Sequence, residues 1–452
     1  TQKDSFRIMQ RNMFRNFANL EEFIIIGNQS NYVVIDGVLY TADQKTLVAY
    51  PRARKEDGEI ATSFEIPSTV TTILAYAFAG TNLETLHIPD SVKFIGEGAF
   101  NNASNLEQIT FGENSEFEEV AYGAFNGSGW YQQITAPFKI AGSYLLSYHG
   151  YQSAVTVPNT VKTIGERAFE NNNLDNITQL TISESVIRIN ESAFINCSEI
   201  ESIIFQGSSQ LMYVANDVFY DTSWIDQMDM EANEFILAGN VLIKYSGSRT
   251  NLTLPNAVKV IGYEAFFNAT FTNITLHSDL RRIDEKAFYG ANYLESITIP
   301  ASVTSIGQSA FFSNISMTQV IFAENSQLVT IGDNAFANSF TLESIIVPDS
   351  VKRIGEGAFD NCMNLESVAI STNSQLEEIG ERAFKDSDIV DIYIPNGLRE
   401  IKASTFENCS SLETVTFSED NRRLTRIGQD AFRNCTSLGS QLQGKNNLLT
   451  VE

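Results

Sequence analysis

Nine residues of this 452-residue chain have the widest chemical repertoire: four cysteines, three histidines and two tryptophans. Thiolates could hold zinc or cycle through a disulfide, and imidazoles could carry protons or ligate a metal. Indole rings could offer a platform to a sugar. Spacing decides which of these chemistries is open. Cys197, Cys362, Cys409 and Cys435 are scattered with no Cys-x-x-Cys pair, and His87, His149 and His277 are far apart with no ligand partner at i+4. No H-E-x-x-H, G-x-S-x-G, Walker A or G-x-G-x-x-G segment is present. The expectation is of no catalytic residue, no cofactor and no metal, with Trp130 and Trp224 leaving carbohydrate binding as a minor alternative.

A repeat places these residues. Fourteen times a phenylalanine follows an Ile or Val by five residues, from Ile73/Phe78 to Ile427/Phe432, and successive phenylalanines lie 22 to 26 residues apart except for gaps of 44 and 47. A fixed period of this length marks a solenoid. With Phe counted as zero, segments such as Leu365-x-x-Val368-x-Ile370 alternate at period two, as a half-buried strand does. The Ile, Ala and Phe at −5, −1 and zero share one face of a short helix or helical turn. The expected fold is therefore an α/β repeat solenoid, a leucine-rich-repeat-like stack of short strands and short helical turns, interrupted by three β-hairpin segments. Seven of the nine prolines stand at −11, directly after the strand, where a missing N–H ends a ladder cheaply. Gly, Asn or Asp fills +2 in thirteen of the fourteen repeats and reads as the stop after the helical turn. All four cysteines stand at +3, where other repeats place Thr81, Ala103, Ser339 or Ser387, so a small core slot explains them.

One domain is expected over 1–452, with a degenerate repeat over 1–31, hairpin insertions at 32–66, 134–157 and 234–255, and an end or cap at 433–452. The hairpins are signalled by Asp36-Gly37, Ala141-Gly142-Ser143 and Ala238-Gly239-Asn240. A net charge of −25 argues against a nucleic-acid partner, and no apolar run is long enough to span a membrane. The chain opens at Thr1 without the basic and apolar regions of a leader, so a secretory signal is either already removed or was never there.

What remains is surface. The outward strand positions, usually +8 and +10, give the candidate protein-binding residues: Ile204, Gln319, Ile321, Ser344, Ile346, Asp391, Tyr393, Thr414 and Thr416. This face is hydroxyl-rich and nearly neutral, with the isoleucines and Tyr393 as apolar points, although Ser and Thr also ladder across strands for purely structural reasons. Beside it, Glu295, Glu343, Glu366 and Glu413 all occupy +7. Like charges stacked there would be relieved by a basic partner, by a divalent cation, or simply by solvation and screening.

The stretch from Val347 to Leu365 almost completes the pattern Ile-Pro-x-Ser-Val-x-x-Ile-Gly-x-x-Ala-Phe-x-x-Cys-x-x-Leu. In this the chain resembles the BspA-like, or treponemal-type, leucine-rich repeat family. The resemblance implies a bacterial protein, extracellular or on the cell surface, that binds other proteins, including host extracellular matrix or another bacterial surface protein. A non-enzymatic adhesin or scaffold using the sheet face is the function expected, with a passive acidic surface spacer as the alternative.

Overall fold

The computed structural model of the chain describes residues 17–26, 31–170, 177–230, 233–418, 423–438 and 450–451. Most of the first repeat expected over 1–31, including Met9, Phe14 and Asn16, lies outside the described residues, as does most of 439–452. The chain packs as two compact units, 1–227 and 228–452.

Within each unit every repeat contributes two strands. The Leu-x-x-Ile-x-Ile segment forms a long strand of three or four residues whose side chains alternate between core and solvent, as in Ser344–Val347 and Ser367–Ile370. The Ile at −5 closes a two-residue strand such as Arg353–Ile354, with that Ile buried. In residues 228–452 eight long strands, from Asn251–Thr253 to Thr414–Phe417, pair in chain order. The short strands form a separate parallel ladder from Val260–Ile261 to Glu378–Ile379. In residues 1–227 the same two layers recur in shorter pieces, with three-stranded long-strand sheets.

The antiparallel hairpins stand at the heads of the short-strand ladders. Phe138–Ala141 pairs with Tyr144–Tyr148, and Phe235–Ala238 with Val241–Tyr245. The last strand of each then pairs in parallel with the next repeat, Tyr144 opposite Thr163 and Val241 opposite Val260. In the first hairpin Asp36 and Gly37 both take positive φ, 49° and 76°, as a two-residue turn between twisted strands demands.

The helical part of the expected fold does not form. Only Gly129–Gln133 and Ser223–Met230 are α-helical among the described residues. The Ile-x-x-x-Ala-Phe segment is instead a run of turns, because it carries left-handed residues. In all fourteen repeats the residue at −2 has positive φ, from Tyr76 at 59° to Asp430 at 57°. In most the residue at +2 does as well, as at Asn338 (60°) and Asn361 (61°). A right-handed helix cannot pass through a left-handed residue every four positions. The segment's N–H groups are nonetheless paired. In the Phe359 repeat Ala358, Asp360 and Cys362 donate three residues back, to Gly355, Gly357 and Phe359. Gly357, Phe359 and Asn361 donate to the following repeat, to the carbonyls of Glu381, Ala383 and Lys385, each at 2.8 Å. Turn and ladder together satisfy what a helix would have satisfied alone.

This ladder fixes the core. With backbones set about one strand spacing apart, the phenylalanines at zero stack face on face. Phe311, Phe336, Phe359 and Phe384 lie 5.1, 5.3 and 5.3 Å apart with rings inclined by at most 5°. All four are fully buried, with the leucines, isoleucines and valines of both strands around them.

Candidate functional site

The cysteines take part in the packing of the repeats. The Sγ atoms of Cys197, Cys362, Cys409 and Cys435 donate to the carbonyls of Phe169, Phe336, Phe384 and Phe406 at 3.1 to 3.3 Å. Ser339 and Asn314 make the same bond to Phe311 and Phe288. The +3 slot thus accepts a small donor as well as a small apolar side chain. All four thiols are free, and burial pushes those of Cys197, Cys362 and Cys409 up to about 12. No thiolate forms there near neutral pH.

A pH dependence follows. The unfolded chain releases these protons near the ordinary thiol value of 9.0 while the folded chain holds them. Stability is therefore unaffected below that pH and falls as pH rises through the interval up to about 12. Denaturation midpoints measured between about pH 8 and pH 11 are expected to drop less for a Cys197→Ser/Cys362→Ser/Cys409→Ser chain than for the parent.

The histidines are separate from one another. His87 bonds the Thr110 hydroxyl at 2.9 Å and His277 the Pro255 carbonyl at 3.0 Å. His149 Nε2 lies 2.9 Å from Ser147 Oγ, which is also 2.9 Å from Tyr131 Oη. This trio shares a crevice beside the second hairpin with Tyr122, Glu166 and Arg167. Burial raises the Glu166 carboxyl above its usual range, and Arg167 is engaged by the Tyr122 ring at 5.4 Å and by Glu170 at 3.2 Å. Among the described residues no three of His, Cys, Asp and Glu come together as a metal site. Trp224 is buried against Phe219 at 5.0 Å, and Trp130 packs half-buried against Phe125 at the same distance. Both indoles close the ends of phenylalanine columns.

The exposed strand positions are brought together. Eight of the nine candidate residues lie on the long-strand sheet of residues 228–452, whereas Ile204 stands on a different sheet, Ala154–Thr156 with Gln179–Ile182 and Ser202–Phe205. Gln319, Ser344, Ser367, Asp391 and Thr414 are direct neighbours on successive strands. The +10 column runs beside them, with Thr298 opposite Ile321, Ile346 opposite Ala369 and Tyr393 opposite Thr416. Ile346 is 73% exposed and Ile321 42%, while Tyr393 is half-buried and leans on the core. Among the described residues the hydroxyls of Ser344, Ser367, Thr414 and Thr416 have no hydrogen-bond partner, so the expected Ser/Thr laddering does not occupy them.

The structure adds a second apolar column that sequence reading missed. Ile315, Phe340 and Met363, all at +4 of consecutive repeats, are 44%, 37% and 56% exposed. The available signal was the departure from Asn82, Ser104, Ser198 and Ser410 at the same phase.

The profile of the BspA type leucine-rich repeat region matches residues 58–151, 142–242, 238–366 and 329–450, in 6 copies. The chain belongs to this family. The Ile-Gly-x-x-Ala-Phe signature of its BspA-type repeats is, in three dimensions, the doubly left-handed turn described above. Among solved structures, a leucine-rich repeat protein from Bacteroides ovatus is 22% identical, over 92% of this chain and 93% of that one, with a TM-score of 0.38. The T. pallidum leucine-rich repeat protein is 24% identical over 47% of this chain and 91% of that one, with a TM-score of 0.37. A leucine-rich cell surface protein from Faecalibacterium prausnitzii is 19% identical over 88% and 96% of the two chains, with a TM-score of 0.27. No curated protein matches the chain. Among the described residues no helix is long and apolar enough to cross a membrane.

Proposed function

We propose that this BspA-type repeat chain is a bacterial cell-surface or secreted protein-binding scaffold, an adhesin, without enzymatic activity. Its binding surface is the exposed face of the long-strand sheet in residues 228–452. The observation that carries the reading is the +10 column, where Ile321 and the largely exposed Ile346 stand beside a row of unpartnered hydroxyls. Apolar side chains held out on a rigid sheet, rimmed by available polar groups, are the composition of a protein interface. Partners of the class expected are host extracellular-matrix proteins or another bacterial surface protein.

The test is saturable binding of the full chain to immobilised matrix proteins such as fibronectin and fibrinogen. An Ile321→Thr/Ile346→Thr chain is expected to lose at least about tenfold in affinity, since buried apolar anchors dominate interfaces. Threonine already occupies this column at Thr298 and Thr416, so folding stability should stay within about 0.5 kcal/mol of the parent. Unchanged binding by the variant would refute the assignment of the face. Absence of saturable binding across such a panel would favour the spacer.

A further inference from the structure

Charge is divided between the two sides of every repeat. No lysine or arginine occurs between +4 and +11 of any of the fourteen repeats, the stretch that in most of them leads into and forms the long strand and that after Phe125 and Phe219 holds the two helices. In residues 228–452 the ion pairs among described residues all lie outside that stretch, among them Arg353 with Asp333 and Glu378, Arg382 with Glu356, Arg426 with Glu400 and Arg433 with Glu407. Glu295, Glu343, Glu366 and Glu413 are exposed and belong to none of these pairs. Their backbones are coupled in one ladder, Glu366 N–H donating to the Glu343 carbonyl at 3.0 Å, so Glu343 and Glu366 stand on adjacent rungs. Asp391 is exposed on the next strand.

These carboxylates do not stand alone. Along each repeat their +7 position falls between two sets of exposed apolar residues, Ile315, Phe340 and Met363 at +4 and Ile321 and Ile346 at +10. An acidic strip with no counter-charge in its own stretch of the repeat, interleaved along the chain with exposed apolar residues, is complementary to a chain that alternates cationic and apolar groups. The sign also disfavours nucleic acid and anionic lipid, which need basic surface.

Building on the binding face proposed above, we infer that its occupant is a cationic segment of a partner protein. Lysine or arginine side chains of that segment lie against Glu343, Glu366 and Asp391, and its apolar side chains lie over Ile346 and Phe340.

The test uses the full chain and a library of random 12-residue peptides displayed on phage, selected at about physiological ionic strength and counter-selected on the Ile321→Thr/Ile346→Thr chain. Face-dependent peptides rich in Lys and Arg interleaved with apolar residues are expected. Their affinity should fall about tenfold or more for a Glu343→Gln/Glu366→Gln/Asp391→Asn chain, and should fall as salt is raised. Face-dependent peptides of neutral or acidic composition would overturn the inference and leave the binding face standing. So would basic peptides indifferent to the three neutralising substitutions, or binding that requires added calcium. Peptides that bind the Ile321→Thr/Ile346→Thr chain as well as the parent, or no selected peptide at all, would count against both.

Discussion

A Phe336→Ala chain is expected to lose about 3–5 kcal/mol of stability, the usual cost of truncating a fully buried aromatic residue. Phe336 is fully buried, with the rings of Phe311 and Phe359 on its two faces at 5.1 and 5.3 Å. Truncation therefore opens a void that both neighbours share, and neither can collapse into it without leaving the backbone ladder. That ladder holds Phe336 N–H to the Ala358 carbonyl at 2.8 Å. Because the stability of a repeat array is a sum over neighbouring interfaces, the loss should be felt by the repeats on either side. Phe432, only partly buried and with Phe406 as its one stacked neighbour among the described residues, gives the internal control. Phe432→Ala should cost clearly less. Urea unfolding of the two variants beside the parent checks both the magnitude and the order, and equal losses would contradict the stacked-column account.

The second large effect is expected from Gly332→Val. Gly332 stands at −4, where successive turns approach closely. A Cβ placed there would come within 2.5 Å of the Gly307 carbonyl carbon and 2.6 Å of its oxygen, both backbone atoms that cannot rotate away. The clash acts on an interface held by Gly332 N–H to the Ile306 carbonyl at 2.9 Å and Gly355 N–H to the Ile331 carbonyl at 2.8 Å. Forcing these turns apart should cost about 3 kcal/mol, near the top of the range for overpacking. A branched side chain at Gly58, which has no atom within 4 Å of its hypothetical Cβ, would meet no such wall, although its φ of +88° still strains any substitution. The thermal midpoint of Gly332→Val should therefore drop with loss of cooperativity in residues 228–452, readable as early loss of amide protection there.

Much of this architecture was legible in the sequence. The period came from the phenylalanines, the long strands from the alternation at Leu365-x-x-Val368-x-Ile370, and the strand ends from proline. Pro348, for example, ends Ser344–Val347 and opens a turn in which Val351 N–H reaches back to its carbonyl at 3.0 Å. The helix was misread for a definite reason. Positions −5, −1 and zero share a face in a helix, but they share one equally in a turn that reverses twice. The residue that decides between them sits at −2. There the chain carries Tyr76, Arg167, Glu264, Lys286 and Arg382 at positive φ as readily as Gly98 or Gly357. No residue type marks the site, although the left-handed conformation costs about 1–2 kcal/mol outside glycine; in more than half of the repeats the residue's own N–H is held by an inter-repeat hydrogen bond, as from Arg382 to the Ala403 carbonyl.

The candidate face was legible in part. Alternation showed that Ile321 and Ile346 point outward, but not that Ile204 belongs to a different sheet, nor that Tyr393 leans into the core. The column of Ile315, Phe340 and Met363 lay outside the strand, where periodicity gives no orientation. The segregation of basic residues is a property of phase within the repeat. It became meaningful once the structure showed that positions +4 to +11 lead into the long strand with its exposed alternate positions, while the arginines at −6 and −2 pair with carboxylates outside that stretch.

Hydrogen exchange on the full chain, alone and saturated with a matrix protein that it retains, tests the central claim most directly. New protection confined to the strands Gln319–Phe322, Ser344–Val347, Ser367–Ile370 and Asp391–Ile394 and the turns leading into them is the result the account predicts. Protection on the turn side, around Lys286, Arg382 and Arg433, with these strands unchanged, would contradict it.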